Sequence, residues 1–274
     1  MVDTRGAVKN ATDNEWFEKA ARAGFAISGV LHLLIAYIVL RLALGGPSPS
    51  GSADQSGALT ALGSQTGGVV MLWVAAAGLV ALGLWRLAET VLGGHPGETS
   101  ARQSDDGGAL KKRVKAFALA VVYFAMAVSA ARFAMGIGKS TGRENADMSA
   151  QLMQSGWGIT ALIIIGLVVI GVGGYHVYKG VSKKFEKDLK VSPGRGITVL
   201  GVGGYTAKGL VFIGAGLLVL IATLRFDPSK ATGIDGALKA LGEAPFGKIL
   251  LILAGLGIAA FGAYSFVRSR YARM

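Results

Sequence analysis

Six apolar runs of about twenty residues each, separated by polar stretches, decide what this chain can fold into. They cover residues 24–44, 69–91, 114–135, 158–177, 199–224 and 249–267 of 274. At about 1.5 Å of rise per residue, each helix reaches about 30 Å, the thickness of a bilayer's hydrocarbon core. Between them the runs take up most of the apolar residues, which leaves none for a water-facing globular core. Composition agrees. Residues are 52% hydrophobic and only 16% charged, where a soluble domain carries about a quarter charged residues. The sequence therefore predicts an all-α integral membrane protein of six transmembrane helices.

The net charge of +12 sits near span ends, so it is read through membrane topology and not as a nucleic-acid surface. Counted by side, sixteen lysines and arginines fall on the N-terminal segment, connections two and four and the C-terminus, against six on connections one, three and five. The positive-inside rule then places both termini in the cytoplasm. The first twenty residues are polar and of mixed charge, with no cleavable leader expected. Trp16 and Phe17 suit an amphipathic segment at the headgroup layer. Cysteine is absent, which removes disulfides, thiolate metal sites and cysteine nucleophiles.

The chain also repeats itself. LGLWRLAET, VGGYHVYKG and FGAYSFVRS align with Trp85, Tyr175 and Tyr264 in one column, about ninety residues apart. The odd-numbered spans align as well, with His32, Tyr123 and Phe212 in one column and Gly29, Ala120 and Gly209 in another. Each unit is two helices and their outer connection, entering with the same sense, so the units are parallel helical hairpins around an expected pseudo-threefold axis. The three aromatics suit an interfacial belt. Small residues recur seven apart: Gly29/Ala36, Ala120/Ala127 and Gly209/Gly216 in odd spans, and Ala76/Gly83, Gly166/Gly173 and Gly255/Gly262 in even ones. Such spacing marks one helix face and predicts close packing at Gly29, Gly83, Gly173, Gly209, Gly216 and Gly262. GVGGY at 201–205 opens a membrane span and follows no strand, so it is not a dinucleotide loop. GALTALG, SAQLMQSG and GALKALG predict short extracytoplasmic interfacial helices at 57–63, 149–156 and 236–242. The resulting organisation is a cytoplasmic N-terminal segment 1–22, repeat one 23–93, a flexible linker 94–110, repeat two 111–182, a basic connection 183–198, and repeat three with its basic tail 199–274.

The third unit carries a more specific text: GVGGYTAKGLVF, then FDPSKATGIDGALKALGEAPFGK, then FGAYSFVRSRYARM. It closely resembles the bacterial membrane family known as domain of unknown function 1206. That resemblance implies three two-helix repeats across nearly the whole chain. The family pattern favours an arginine before the glycine of each odd span; here Ser28, Leu119 and Lys208 stand there. No activity comes with the resemblance.

Polar groups inside a membrane are functional candidates by default. His32 lies about 13 Å into the first span by helical rise; it serves proton transfer or haem ligation, or is simply satisfied by a neighbouring hydroxyl or carbonyl. His176 sits about 10 Å away in depth, too far for one haem plane, so haem and metal are both disfavoured. Lys208 either binds an anionic group or snorkels to the cytoplasmic surface. Arg41 and Arg132 align near the outer ends of spans one and three, with Arg225 one turn later in span five. They form an anion-favouring ring or three separate anchors. Arg86 and Glu89 are one turn apart at a cytoplasmic span exit and read as a structural contact. The interiors hold no aspartate and no buried glutamate, against a proton- or sodium-coupled carrier. No Ser–His pair is picked out at helical spacing, and no HExxH and no paired carboxylates occur, so no enzyme is expected.

The function expected is that of a non-enzymatic component of the cell envelope, structural or interacting, with the lipid bilayer and possible membrane-complex subunits as partners. Neither cofactor, metal nor nucleic acid is expected. The alternative is a small permease or channel for an anionic or lipid-like solute.

Overall fold

A computed structural model describes residues 15–46, 51–92 and 106–272. The described residues form nine α-helices: α1 (Glu15–Ala43), α2 (Gln55–Gly63), α3 (Gly68–Leu92), α4 (Asp106–Ala134), α5 (Thr141–Leu152), α6 (Gly156–Val181), α7 (Arg195–Leu224), α8 (Gly233–Glu243) and α9 (Gly247–Tyr271). Six of them (α1, α3, α4, α6, α7 and α9) are long and apolar enough to cross a membrane. Most run past their apolar block at the basic end, because Glu, Lys, Arg and Ala flank the blocks there and propagate a helix readily. Residues 15–22 thus belong to α1 and form no separate element. Of the linker expected at 94–110, residues 94–105 lie outside the described residues and 106–110 already belong to α4.

Each repeat builds the same local turns. The odd spans α1, α4 and α7 end in a left-handed residue: Gly45 (φ 79°), Gly136 (φ 74°) and Phe226 (φ 52°). In each, the next amide returns to a carbonyl five residues back, Gly46 to Arg41, Ile137 to Arg132 and Asp227 to Ala222, all at 2.9 Å. This is the Schellman stop. The third copy keeps the geometry without its glycine. At the start of α3, α6 and α9 the chain turns so tightly that a Cβ at Gly68, Gly158 or Gly247 would lie within 2.0 Å of a carbonyl oxygen, of Leu62, Leu152 and Gly242 respectively.

Helix pairing crosses repeat boundaries. The most extensive contacts join α3 to α4, α6 to α7 and α9 back to α1; within repeats, α7 and α9 pack well, α1 and α3 touch lightly, and α4 and α6 barely meet. Small residues explain the partners. A Cβ on Gly173 or on Gly209 would lie 2.6 Å from the other's carbonyl oxygen, and one on Gly216 would lie 2.7 Å from that of Gly166. Gly29 and Gly262 stand in the same relation at 3.0 and 3.1 Å. On α3, Gly83 is roofed by the Phe124 ring of α4, beside buried Ala76, Ala120 and Ala127. Backbone approach this close is how helices associate where lipid supplies no hydrophobic drive.

The short helices occupy connections one, three and five, with one shift from the expected bounds. In repeat two the helix is Thr141–Leu152, not 149–156. Ser155 there instead caps α6 by accepting the Gly158 amide at 3.2 Å. The N-terminal ends of all three short helices converge. Asp54 caps α2 by accepting from Gly57 N at 3.1 Å and the Ser56 hydroxyl at 2.5 Å. Asp235 of α8 accepts the Ala53 amide and the Lys239 ammonium, both at 2.7 Å. Ser56 Oγ accepts the Thr141 amide at 3.2 Å, and the Ser52 and Ser140 hydroxyls meet at 2.9 Å. Burial, opposed by those two hydrogen bonds and assisted by Asp235, raises the Asp54 carboxyl above the ordinary aspartate value.

The basic connection is docked, not free. Phe185, in a 3-10 turn over Lys184–Asp188, is fully buried among Leu189, Tyr205, Phe261 and Tyr264. Lys190 N donates to Tyr271 O at 2.8 Å. Tyr264 is accordingly 0% exposed and donates its hydroxyl to Phe185 O at 3.1 Å. Of the three aligned aromatics it is a core residue, whereas Tyr175 is exposed.

Two measurements follow. Gly209→Val should lower the melting temperature in detergent, at about 1–3 kcal/mol, while Gly171→Val, where nothing lies within 4 Å, should leave it nearly unchanged. Because folded Asp54 holds its proton more tightly than the unfolded chain, its contribution is greatest at low pH and declines as pH rises from the ordinary aspartate value through the raised one. The melting temperature of Asp54→Asn relative to wild type should therefore climb across that window; a constant difference contradicts it.

Candidate functional site

Halfway along α1, His32 is ten residues from Arg22 and eleven from Ala43, the ends of its span, which puts it near the membrane centre. Its Nδ1 lies 2.7 Å from the carbonyl oxygen of Ser28, one turn back. A carbonyl only accepts, so Nδ1 carries the proton and Nε2 presents a lone pair. The Lys208 ammonium of α7 lies 3.3 Å from that Nε2. It also sits 4.0 Å over the Phe261 ring of α9 and 6.0 Å from that of Phe212. Phe261 in turn packs on His32 with centroids 4.7 Å apart. Lys208 thus turns into the bundle, where an imidazole lone pair and two aromatic faces hold its charge. One turn of α7 links this cluster to the other histidine: His176 stacks on Phe212 at 5.8 Å and donates Nδ1 to Val172 O at 2.8 Å.

Ser28 adds a contact that a search for catalytic motifs passes over, although its spacing of four from His32 signals it. Its hydroxyl is 3.4 Å from His32 Nδ1, yet that nitrogen is already a donor to the Ser28 carbonyl. The imidazole cannot take the Ser28 proton from that side, so the pair is not an activated nucleophile. The cluster can hold one positive charge at mid-membrane, with Lys208 Nζ donating to His32 Nε2.

The three arginines engage different neighbours. Arg132 pairs with Glu144 at 2.9 Å. Arg41 donates to the Tyr37 hydroxyl at 3.4 Å and lies 5.9 Å from its ring. Arg225 is exposed at the end of α7. The Glu89 side chain, and with it the Arg86–Glu89 contact, lies outside the described residues. A further arginine, Arg268, escapes sequence reasoning: its guanidinium covers the Phe25 ring at 4.1 Å, with Nε buried and unbonded. Only the register of α9 on α1 reveals this.

A family model described as Domain of Unknown Function (DUF1206) matches residues 23–93, 114–183 and 203–272. The chain is a six-span, all-helical membrane protein built from three such repeats, and it belongs to that family. Among its relatives is the uncharacterized protein YxxB of Bacillus subtilis (strain 168), 27% identical over 267 residues, covering 94% of this chain and 92% of the relative. No solved structure matches.

A double-mutant cycle tests the central pair. His32→Leu should destabilise by about 1–3 kcal/mol by stranding the Lys208 charge, whereas Lys208→Met should be close to neutral. The double variant should recover most of the loss on thermal melting.

Proposed function

We propose that this protein is a non-enzymatic, multi-pass component of the bacterial plasma membrane, with both termini cytoplasmic, serving a structural or interaction role in the cell envelope or in a membrane complex. The observation that carries this reading is closure of the mid-membrane charge on the protein's own groups: Lys208 rests on His32 and Phe261. Two surface grooves support it. One lies at the basic end of α7, the other at the outer end of α4, and neither includes His32 or Lys208 among its walls. The excess of basic residues on one side supports the orientation. The recurring stops, glycine turns and cross-repeat pairs support a pseudo-threefold relation of the repeats. Convergence of α2, α5 and α8 fits short helices gathered at the extracytoplasmic surface.

The pair α3–α4 favours an interaction role. It is joined to the remaining helices mainly by light contacts of α3 with α1 and of α2 with both α3 and α4. Val114, Phe117, Val121, Val122 and Val128 of α4 are left exposed.

Tagged protein cross-linked and extracted from native membrane should bring a membrane protein with it, and purified protein in vesicles should pass no more anion than empty vesicles. Protein that emerges alone and conducts anions would overturn the reading in favour of a permease. A C-terminal green fluorescent fusion should glow and a C-terminal alkaline phosphatase fusion should be inactive.

A further inference from the structure

We propose that the groove beside the first turns of α7 binds one anionic phospholipid, the phosphate held by Lys183 and Arg195. The groove has a volume of about 620 Å³ and is walled by Lys183, Pro193, Arg195, Thr198, Val199, Val202 and Gly203. Its two ends differ in chemistry. At the basic connection, Lys183 and Arg195 contribute two positive charges, and among the described residues neither side chain has a hydrogen-bond or ion-pair partner. Glu186, in the turn that follows Lys183, is engaged by the Thr198 hydroxyl at 2.7 Å. Neighbouring cations are already in use: Lys184 bonds the Tyr178 hydroxyl at 2.5 Å and Lys179 pairs with Asp188 at 2.6 Å.

Toward the membrane the walls become apolar. Val199 is 63% exposed, and a Cβ on Gly203 would meet nothing within 4 Å. The groove therefore presents cations at the depth of headgroups and a smooth channel at the depth of acyl chains. That polarity matches a phosphodiester with its chains attached. A free phosphate would use only the upper half, and a zwitterionic lipid would bring an ammonium toward Lys183 and Arg195.

Lys183 also holds a fixed position. Its backbone is left-handed (φ 56°) between the last turn of α6 and the buried Phe185, so its stem leaves the chain at the groove's edge. Asparagine tolerates that conformation better than most residues, which makes Lys183→Asn a suitable test substitution.

The experiment is native mass spectrometry of delipidated full-length protein titrated with phosphatidylglycerol or phosphatidylcholine. Wild type should take up one phosphatidylglycerol in preference to phosphatidylcholine. Lys183→Asn/Arg195→Gln should weaken that uptake by about tenfold or more, and Gly203→Leu should weaken it with both charges kept. Lys139→Gln/Lys187→Gln, which removes the same charge elsewhere, should retain it. Equal loss in this control, or equal uptake of the two lipids by wild type, would overturn the site. So would full competition by glycerol phosphate or inorganic phosphate, which would make it a phosphate site. Each variant's melting temperature and helical circular dichroism must match wild type, and Arg195→Gln alone, outside the left-handed turn, should show the loss if the double variant does not fold.

Discussion

Contact between the backbones of two helices, made where both carry glycine, fixes two of the three cross-repeat pairs in this fold, α6 with α7 and α9 with α1. Gly173 and Gly209 leave no room for a methyl group between them, and Gly166 with Gly216 repeats the contact two turns away. Gly29 with Gly262 makes the equivalent crossing between α9 and α1. Lipid tails are as apolar as leucine, so burying leucine gains little inside a bilayer and shape complementarity must supply the attraction. The even span of one repeat consequently binds the odd span of the next, and the last binds the first. Placement of α9 against α1 then carries Phe261 to His32, and α7 against α9 brings Lys208 to both.

Charge follows packing. Lysine at the membrane centre is costly, and the fold answers with groups that stay neutral: a histidine whose proton is fixed on Nδ1, and the faces of Phe261 and Phe212. At the junction of the three short helices the problem is reversed. Three helix N-termini meet, each carrying partial positive charge, and two carboxylates, Asp54 and Asp235, lie among them. The acid in the first turn of α5, Glu144, is turned to Arg132, and the Thr141 amide is satisfied by Ser56 from the first repeat. Repeats that diverged in sequence thereby remain dependent on one another at both depths.

Much of the architecture is legible from periodicity. Apolar runs locate the six spans, and the small residues seven apart mark the faces that pack. Their partners are not legible, because a heptad of glycine names a face without saying which helix lies against it. The match of Gly173 to Gly209 rather than to an α4 face depends on depth and tilt. The same gap hides the His32–Lys208 contact, since the two residues are 176 positions apart and do not share a column in the repeat alignment. Tyr264 misleads for a related reason: its column holds aromatics in all three copies, but only in the third does Phe185 fold back to bury it. The SAQLMQSG stretch reads as helical by analogy with GALKALG, yet Ser155 serves as a cap and ends the resemblance there.

The dependence of the fold on cross-repeat pairing can be measured directly because the chain has no cysteine. Ser269 of α9 donates its hydroxyl to Arg22 O of α1 at 2.7 Å, close enough for a disulfide after modest adjustment. In native membranes, a chain bearing Arg22→Cys and Ser269→Cys should cross-link rapidly within one molecule. Val121→Cys with Val168→Cys, exposed positions on α4 and α6 that would join the two helices inside repeat two, should not. Rapid closure of the second pair without the first would mean that each repeat folds on itself, which contradicts pairing between the even span of one repeat and the odd span of the next.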